Sequence, residues 1–168
     1  GSVLMKVSVP EWQAASPPSA DTAPRRYGPA QASATRTAAS MFAVSAIAYN
    51  LTGNPAMQLY ADTLEQAAID AWTWLLANPG YSNYNNAGFY SANPEISSYQ
   101  QSAVQTGAAV LLFALTGQAS YRTYVDDHYD EVQPIQWGYW YAWESVIQDL
   151  LLYYSVLPNG TTAVKNAI

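Results

Sequence analysis

The stretch WGYWYAWES, residues 137–145, gathers five aromatic rings around one glycine, and such rings could bind a sugar. Aromatic faces are apolar while their edges are polar, which suits a pyranose ring with its C–H faces and equatorial hydroxyls. A second interpretation is a hydrophobic core, because Trp140, Trp143, Ile147, Leu150 and Tyr154 recur at helical spacing. The residues alone leave both interpretations open.

Two carboxylates facing each other could act as the acid and the base in the hydrolysis of a glycosidic bond. That chemistry usually needs two carboxyl groups roughly 5–10 Å apart across a cleft. Glu144 and Asp149 lie five positions apart in one predicted helix and therefore point to different faces. Glu95 and Glu144 fall near the long loops discussed below, but neither has an evident partner. We assign no catalytic residue in this chain.

The acidic run DDHYDE, Asp126 to Glu131, surrounds the only histidine and is a candidate cation site. Cations need several convergent oxygen ligands, which the surface of one helix seldom supplies. We interpret the run as a solvated acidic face and predict neither a metal nor a cofactor. The sequence also contains no Walker loop, GxGxxG or GxSxG motif.

Composition excludes several classes of protein. The net charge of −6 argues against nucleic acid or an anionic membrane as partner. The chain has no cysteine, so thiolate catalysis, disulfides and cysteine-based zinc sites are excluded. Charged residues make up 11% of the chain, against about 25% in typical soluble domains. With 14 Tyr and 6 Trp residues, this neutral, aromatic composition hints at carbohydrate handling.

The length of 168 residues suits a single domain. Gly1 and Ser2 resemble a cloning remnant, and residues 3–29 are predicted to form an irregular, proline-rich arm. Residues 30–168 alternate between two kinds of predicted helix. Helices that are apolar nearly all round are expected at 33–49 (capped by Ser33), 103–115 and 138–156, and helices with one polar face at 56–77 and 120–131, with a last short helix near Thr161.

The alternation is an internal repeat. Leu51-Thr52-Gly53, followed by Tyr60, recurs 64 residues later as Leu115-Thr116-Gly117, followed by Tyr124. Repeating helical hairpins stack side by side and bury one another's apolar flanks. Since helices that are apolar all round must be covered on every side, they belong in an inner layer. The pattern therefore predicts an all-α fold of three hairpins, forming an α/α toroid or an arc of one.

The long connections all fall on one rim of this arc, at the amino-terminal ends of the inner helices. Long loops on one face of a rigid scaffold are where binding usually occurs. The aromatic residues expected on this rim are Trp12, Tyr27, Tyr81, Tyr84, Phe89, Tyr90, Trp137, Tyr139 and Trp140.

Four segments in sequence resemble the middle of a known catalytic domain. They begin at Ser16 (SPPSADTAPRRYGPAQASATRTAASMFAVSAIAY), Asn54 (NPAMQLYADTLEQAAIDAWTWLLANP), Leu115 (LTGQASYRTYVDDHYD) and Tyr141 (YAWESVIQDLLLYY). In order and spacing they resemble glycoside hydrolase family 9, whose members are mostly endo-β-1,4-glucanases with an (α/α)6 barrel and an inverting mechanism. The resemblance covers nearly all of the chain from Val3 onward and implies about half of that barrel, three hairpins of six.

The resemblance also implies particular site residues. Phe89-Tyr90 matches a loop pair that places a ring in the glucan cleft, which implicates Tyr90. Ala142-Trp143 matches a pair that begins an inner helix, which implicates Trp143 in stacking on sugar, with Trp140 beside it. Many members bind calcium through an Asp-Glu pair after Tyr-Gln, but here Gln101-Ser102 stands in that place, so we expect no metal.

The family's catalytic base motif, Asp-Ala-Gly-Asp, and its catalytic Asn-Glu near the end of the domain do not occur in this chain. The resemblance therefore implies part of a secreted, cellulose-degrading endoglucanase that would be inactive alone. Its expected ligand is a β-1,4-glucan or a cello-oligosaccharide. The alternative is a non-catalytic helical module for glycan binding or scaffolding. In either case, apolar flanks of a partial toroid predict self-association.

Overall fold

The helices of this chain alternate between long and short connections. A computed structural model describes residues 1–5, 7–9, 17–83 and 95–168. Two strands, β1 (Val7–Ser8) and β2 (Arg26–Tyr27), precede seven α-helices. The helices are α1 (Ala32–Asn50), α2 (Pro55–Ala77), α3 (Ser98–Thr116), α4 (Ala119–His128), α5 (Gln133–Trp137), α6 (Ser145–Val156) and α7 (Thr162–Ala167).

Three helices form an inner row in the order α1, α3, α6. Each of them packs against the helix that follows it in sequence. Helix α2 packs along α1, α4 along α3, and α7 along α6. The prediction of three stacked hairpins is thus confirmed, with α5 as an additional short helix. The main core lies between α1, α2, α3 and α4, where Ala39, Trp72, Leu112 and Tyr121 are buried.

Of the inner helices, only α3 is covered on all sides. Its residues from Gln105 to Phe113 are all buried. The expectation that α1 and α6 are equally covered is wrong. Helix α1 exposes Met41 and Val44, and α6 exposes Val146 and Val156. Met41, Val44 and Val146 face the open space between α1, α3 and α6, whereas Val156 lies outside that space at the carboxyl end of α6.

The repeated Leu-Thr-Gly segments form equivalent turns. Gly53 and Gly117 both have positive φ, +65° and +69°, a conformation that glycine adopts without steric cost. Thr116 Oγ1 donates to the carbonyl of Leu112 at 2.7 Å, which satisfies one of the last carbonyls of α3. These turns connect α1 to α2 and α3 to α4, whereas α6 ends at Val156 before the extended Leu157.

The first turn of α1 differs from the prediction. Ser33 is not its cap, because the helix begins at Ala32 with Gln31 at the capping position. Ser33 is buried instead, and its N–H donates to Ser82 Oγ at 2.7 Å. Its hydroxyl donates to Glu95 Oε2 at 2.9 Å. Two long-range hydrogen bonds therefore replace the local cap that the sequence suggests.

The start of α6 also differs from the prediction. The predicted helix at 138–156 begins only at Ser145, because α5 ends on Gly138 with a φ of +69°. Tyr141 is extended, and the side chain of Gln148 bonds both its N–H, at 2.6 Å, and its carbonyl. Gln148 thus supplies the hydrogen bonds that a helix would otherwise have given to Tyr141.

The arm is not wholly irregular. Val7 pairs with Tyr27 and Ser8 with Arg26 in a short antiparallel ladder. The N–H of Val3 donates to Thr35 Oγ1 at 3.0 Å, which ties the beginning of the chain to α1. Trp12 lies outside the described residues.

The acidic run is only partly solvated. Asp126 is half-buried and accepts hydrogen bonds from the Tyr154 hydroxyl, at 2.7 Å, and from the Thr161 hydroxyl, at 2.6 Å. The interpretation of a solvated face is therefore wrong for Asp126, which joins α4 to α6 and to the beginning of α7. It holds for the exposed Asp127 and Asp130.

Among the described residues, no helix combines the length and the apolar character that crossing a membrane requires.

Candidate functional site

Four aromatic side chains in a chain of ring contacts lie ahead of α6 and are here called the aromatic strip: Trp137, Tyr139 and Trp143, which are exposed, and Tyr141, which is half-buried. Trp137 and Tyr141 are stacked, with ring centroids 5.3 Å apart and an interplanar angle of 18°. Tyr139 lies 5.9 Å from Trp137 and 5.5 Å from Tyr141. Trp143 continues the strip 6.5 Å beyond Tyr141.

The strip exists because the chain between α5 and α6 is not helical. Tyr141 is extended, Trp137 stacks on its ring and Tyr139 lies beside both, so the ring of Trp140 is left outside the strip. Trp140 makes no ring contact with the strip among the described residues and is 40% exposed. The Trp140–Trp143–Ile147 stripe that predicted a core therefore does not form as one helical face.

Trp143 is the most exposed of these rings, with 86% of its surface accessible. It lies in a 3₁₀ turn, Ala142–Glu144, immediately before α6. The core interpretation is thus wrong for Trp143. Its exposure is compatible with stacking on a ligand.

Tyr141 anchors the middle of the strip. Its hydroxyl donates to Gln133 Oε1 at 2.9 Å, and its backbone is held by Gln148. Both ends of this residue are therefore fixed, one to α5 and the other to α6. A side chain that is already fixed loses little conformational entropy when a ligand binds against it.

Beside the strip, Glu144 is held by Tyr99. The Tyr99 hydroxyl donates to Glu144 Oε2 at 3.0 Å and accepts from the N–H of Gln133 at 2.9 Å. Burial, with a smaller contribution from the Glu144 carboxylate, raises the pKa of Tyr99 to about 12. Tyr99 therefore remains a neutral donor at physiological pH and positions one oxygen of Glu144.

A mostly apolar cavity of about 520 Å³ opens between α1, α3 and α6 next to Trp143. Its volume falls within the usual range of about 300–1,000 Å³ for small-molecule sites. Trp143 and Glu144 line one side of it, and Ile96 lines another. Met41, Val44, Ile147 and Leu150 also line this cavity.

A buried polar cluster, which the sequence analysis did not identify, lies behind the cavity. Arg36 is 1% exposed and its guanidinium bonds Gln101, Gln105 and two backbone carbonyls. The available signal was a single arginine within the otherwise small and apolar run SATRTAASMF. A charge in such a helix needs buried partners.

The two carboxylates near the rim, Glu95 and Glu144, each bond a hydroxyl group and not one another. Glu95 accepts from the Ser33 hydroxyl, and Glu144 from the Tyr99 hydroxyl. Within the described ranges, no three His, Asp or Glu side chains gather as metal ligands would. Phe89 and Tyr90 lie outside the described residues, so the structure says nothing of the predicted role of Tyr90.

An inner row of helices, backed by an outer row and carrying an aromatic rim, defines part of an α/α toroid. The family model "Glycosyl hydrolase family 9" matches residues 4–167, and the chain belongs to this family. Among solved structures it is similar to the "Crystal structure of metagenome-derived glycoside hydrolase family 9 endoglucanase", with a TM-score of 0.74 and 23% identity. That match covers 98% of this chain and 29% of the endoglucanase chain. No curated protein matches the sequence.

Proposed function

We propose that this protein takes part in the hydrolysis of a β-1,4-glucan and that the described residues supply a glucan-binding wall. The observation that carries the proposal is the aromatic strip, in which three exposed rings and the half-buried Tyr141 lie side by side in a family 9 fold. Rings of this kind present apolar faces to the C–H faces of successive sugars. Trp143, and Trp140 beside the strip, are the proposed sugar-binding residues, together with Tyr90, whose role rests on the family resemblance alone.

Polar groups at the edge of the strip support a sugar ligand. Glu144 and Gln133 lie next to Trp143 and Tyr141 and bear oxygens that accept hydrogen bonds from hydroxyl groups. The cavity beside them is apolar, as expected of a site that binds the faces of a sugar and only some of its hydroxyls. The ligand we propose is therefore a neutral β-1,4-glucan or cello-oligosaccharide.

The acid and base of the reaction are not proposed among the described residues. Glu95 and Glu144 are engaged by Ser33 and Tyr99, and no hydrogen bond in the described part of the chain couples them to each other. An inverting glycosidase needs two carboxyl groups separated by enough room for one water, about 6.5–9.5 Å. We propose that other parts of a family 9 domain provide them, and that such an enzyme works outside the cell.

The proposal is tested by calorimetric titration of the chain with cellotetraose. We expect saturable binding that Trp143→Ala weakens by at least about tenfold, since a stacked ring contributes roughly 0.5–1.5 kcal/mol beyond its buried area. Tyr60→Ala is the matched control, because Tyr60 is also an exposed aromatic residue but lies on the outer helix α2. Equal losses in both variants, or no binding by the unmodified chain, would contradict a glucan site at the strip.

A further inference from the structure

Among the described residues, Arg36 is a buried cation without a buried anion. The hydrogen-bond acceptors that the described residues give it are all neutral oxygens. They are Gln105 Oε1 at 2.7 Å, Gln101 Oε1 at 3.1 Å, the Pro79 carbonyl at 3.3 Å and the Gly80 carbonyl at 3.4 Å. Within the described part of the chain, no carboxylate forms an ion pair with this guanidinium. Fully buried arginines are normally paired with acids, so this arrangement needs a reason.

The charge of Arg36 persists despite its burial. Desolvation lowers the pKa of the guanidinium below its ordinary value, but an arginine in a protein stays protonated at neutral pH. The ring of Tyr81 lies 5.2 Å from the guanidinium carbon and gives the cation a further favourable contact. The protein therefore keeps a permanent positive charge in contact with the rim.

Gln101 extends the reach of Arg36 along the chain between α2 and α3. Its Oε1 accepts from Arg36 and from the N–H of Ser82, at 3.0 Å. Its Nε2 donates to the carbonyls of Ser82, at 2.9 Å, and of Ile96, at 3.1 Å. One arginine–glutamine pair thus binds the chain both where it leaves α2 and where it enters α3.

The pair also connects to the cavity. Ile96, whose carbonyl Gln101 holds, lines the same cavity as Trp143 and Glu144. Ser82, held by Gln101 as well, accepts the N–H of Ser33 in the first turn of α1. A displacement of the guanidinium would therefore be transmitted to one wall of the site, although Arg36 is not itself part of the cavity lining.

We propose that Arg36 is a positioning residue that holds the ring of Tyr81 directly and, through Gln101, fixes Ser82 and Ile96 at the rim of the glucan-binding cavity. The placement of these residues stands independently of the ligand, while its consequence for sugar binding rests on the proposed function. Five donors in a planar fork match four separate oxygens, which the three donors of a lysine ammonium cannot reach at once. Charge alone is therefore insufficient.

The test is amide hydrogen exchange in Arg36→Lys and Gln101→Met. We expect the N–H groups of Ser82 and Ser33 to exchange at least tenfold faster in both variants, while the amides of α4 keep their protection. Tyr154→Phe is the control, because it removes hydrogen bonds at the opposite end of the fold, to Asp126 and Thr161. Gln101→Met retains Arg36 and so serves even where the arginine variant does not fold.

The outcomes separate positioning from general stability. Faster exchange confined to residues 79–82, the first turn of α1 and residues 95–101 supports the proposal. A uniform loss of protection, equal to that of Tyr154→Phe at the same melting temperature, overturns it. Arg36→Lys with unchanged exchange overturns it too.

Titration with cellotetraose then tests the consequence for binding. We expect Arg36→Lys and Gln101→Met to weaken binding about tenfold, with Trp143 still in place. Local exchange changes with unchanged affinity would overturn the effect on the site. If the unmodified chain binds no cellotetraose, the proposed function and this consequence fail together, whereas the exchange result still decides whether Arg36 positions the rim.

Discussion

Trp143 shows how one residue can be ambiguous in a sequence and clear in a structure. Its spacing from Ile147 and Leu150 fits a buried helical stripe, yet the ring is 86% exposed. The difference arises from one glycine and one glutamine. Gly138 ends α5, and Gln148 bonds the backbone of Tyr141, so the helix starts only after the strip. The contact between Gln148 and Tyr141 has no signature in the local sequence, whereas Gly138 is a local helix-stop signal.

Tyr99 provides a prediction at the residue scale. Tyr99→Phe removes the hydrogen bonds to Glu144 and to the N–H of Gln133, so we expect a loss of about 1–3 kcal/mol in the free energy of unfolding. Tyr139→Phe is the control, since Tyr139 is 55% exposed and such surface changes usually stay within about ±0.5 kcal/mol. Urea denaturation of both variants checks this. Equal stabilities would mean that the Tyr99 hydroxyl contributes nothing.

The same tyrosine gives a prediction about pH. The pKa of Tyr99 is raised to about 12 in the folded chain, above the ordinary tyrosine value of 10.0. Between these two pH values the unfolded chain has lost the proton and the folded chain retains it, so stability falls as pH rises. We expect the urea midpoint to decline less steeply from pH 10 to pH 12 in Tyr99→Phe than in the unmodified chain. Equally steep declines of the urea midpoint in the two proteins would contradict this. The pKa of Tyr124 is also raised to about 12, and this residue accounts for part of the slope that remains in Tyr99→Phe.

At the scale of elements, the turn after α3 can be tested by substitution. Gly117 has a φ of +69° and no atom near its absent Cβ, so Gly117→Ala adds backbone strain without a clash. We expect a loss of about 1 kcal/mol in unfolding free energy. Gly80→Ala is a matched control, because its Cβ also meets open space but its φ is not positive. If the two variants are equally stable, the left-handed turn is not what stops α3.

The joint between α4, α6 and α7 depends on Asp126. Its carboxylate accepts from Tyr154 and Thr161, and hydrogen bonds to charged groups contribute about 1.5–3 kcal/mol each. We expect Asp126→Asn to lower the melting temperature by several degrees, because an amide group presents only one acceptor oxygen. Asp127→Asn, one position along on the exposed side of the same helix, should leave it nearly unchanged. Matching melting temperatures would rule out this joint.

The alternation of helices was predictable because its signals are local. Apolar periodicity, the glycines after α1 and α3, and Pro55 at the start of α2 each act within a few residues. The site was less predictable. The aromatic strip depends on Gln148, which bonds Tyr141 from the following helix. The rim depends on Arg36 and Gln101, and these two residues bond residues far away in sequence. Contacts of that kind are set by tertiary packing.

For the whole molecule, the exposed carboxyl-terminal part of α6 predicts self-association. Leu152 and Val156, four positions apart on α6, are 51% and 72% exposed and lie outside the cavity, and adjacent exposed apolar side chains of this kind favour association. We expect a concentration-dependent dimer in sedimentation velocity, which Val156→Asp shifts to monomer. Leu59→Asp is the control, because Leu59 is also 72% exposed but lies on the outer helix α2. A monomer at every concentration would contradict the prediction.

Among the described helices, α3 is the one inner helix with an inner neighbour on each side. This position affects the order in which the chain unfolds. In a row of stacked hairpins, stability is shared between each unit and its nearest neighbours. The outer units have one interface to lose and the middle unit has two, so opening begins at the ends. The Arg36 cluster and the Asp126 joint each join one end of the row to this centre. Tyr99 of α3 also bonds Glu144 immediately before α6, so the aromatic strip is held without Arg36 and Asp126, and we expect loss of the Arg36 contacts to loosen the rim while the strip stays in place.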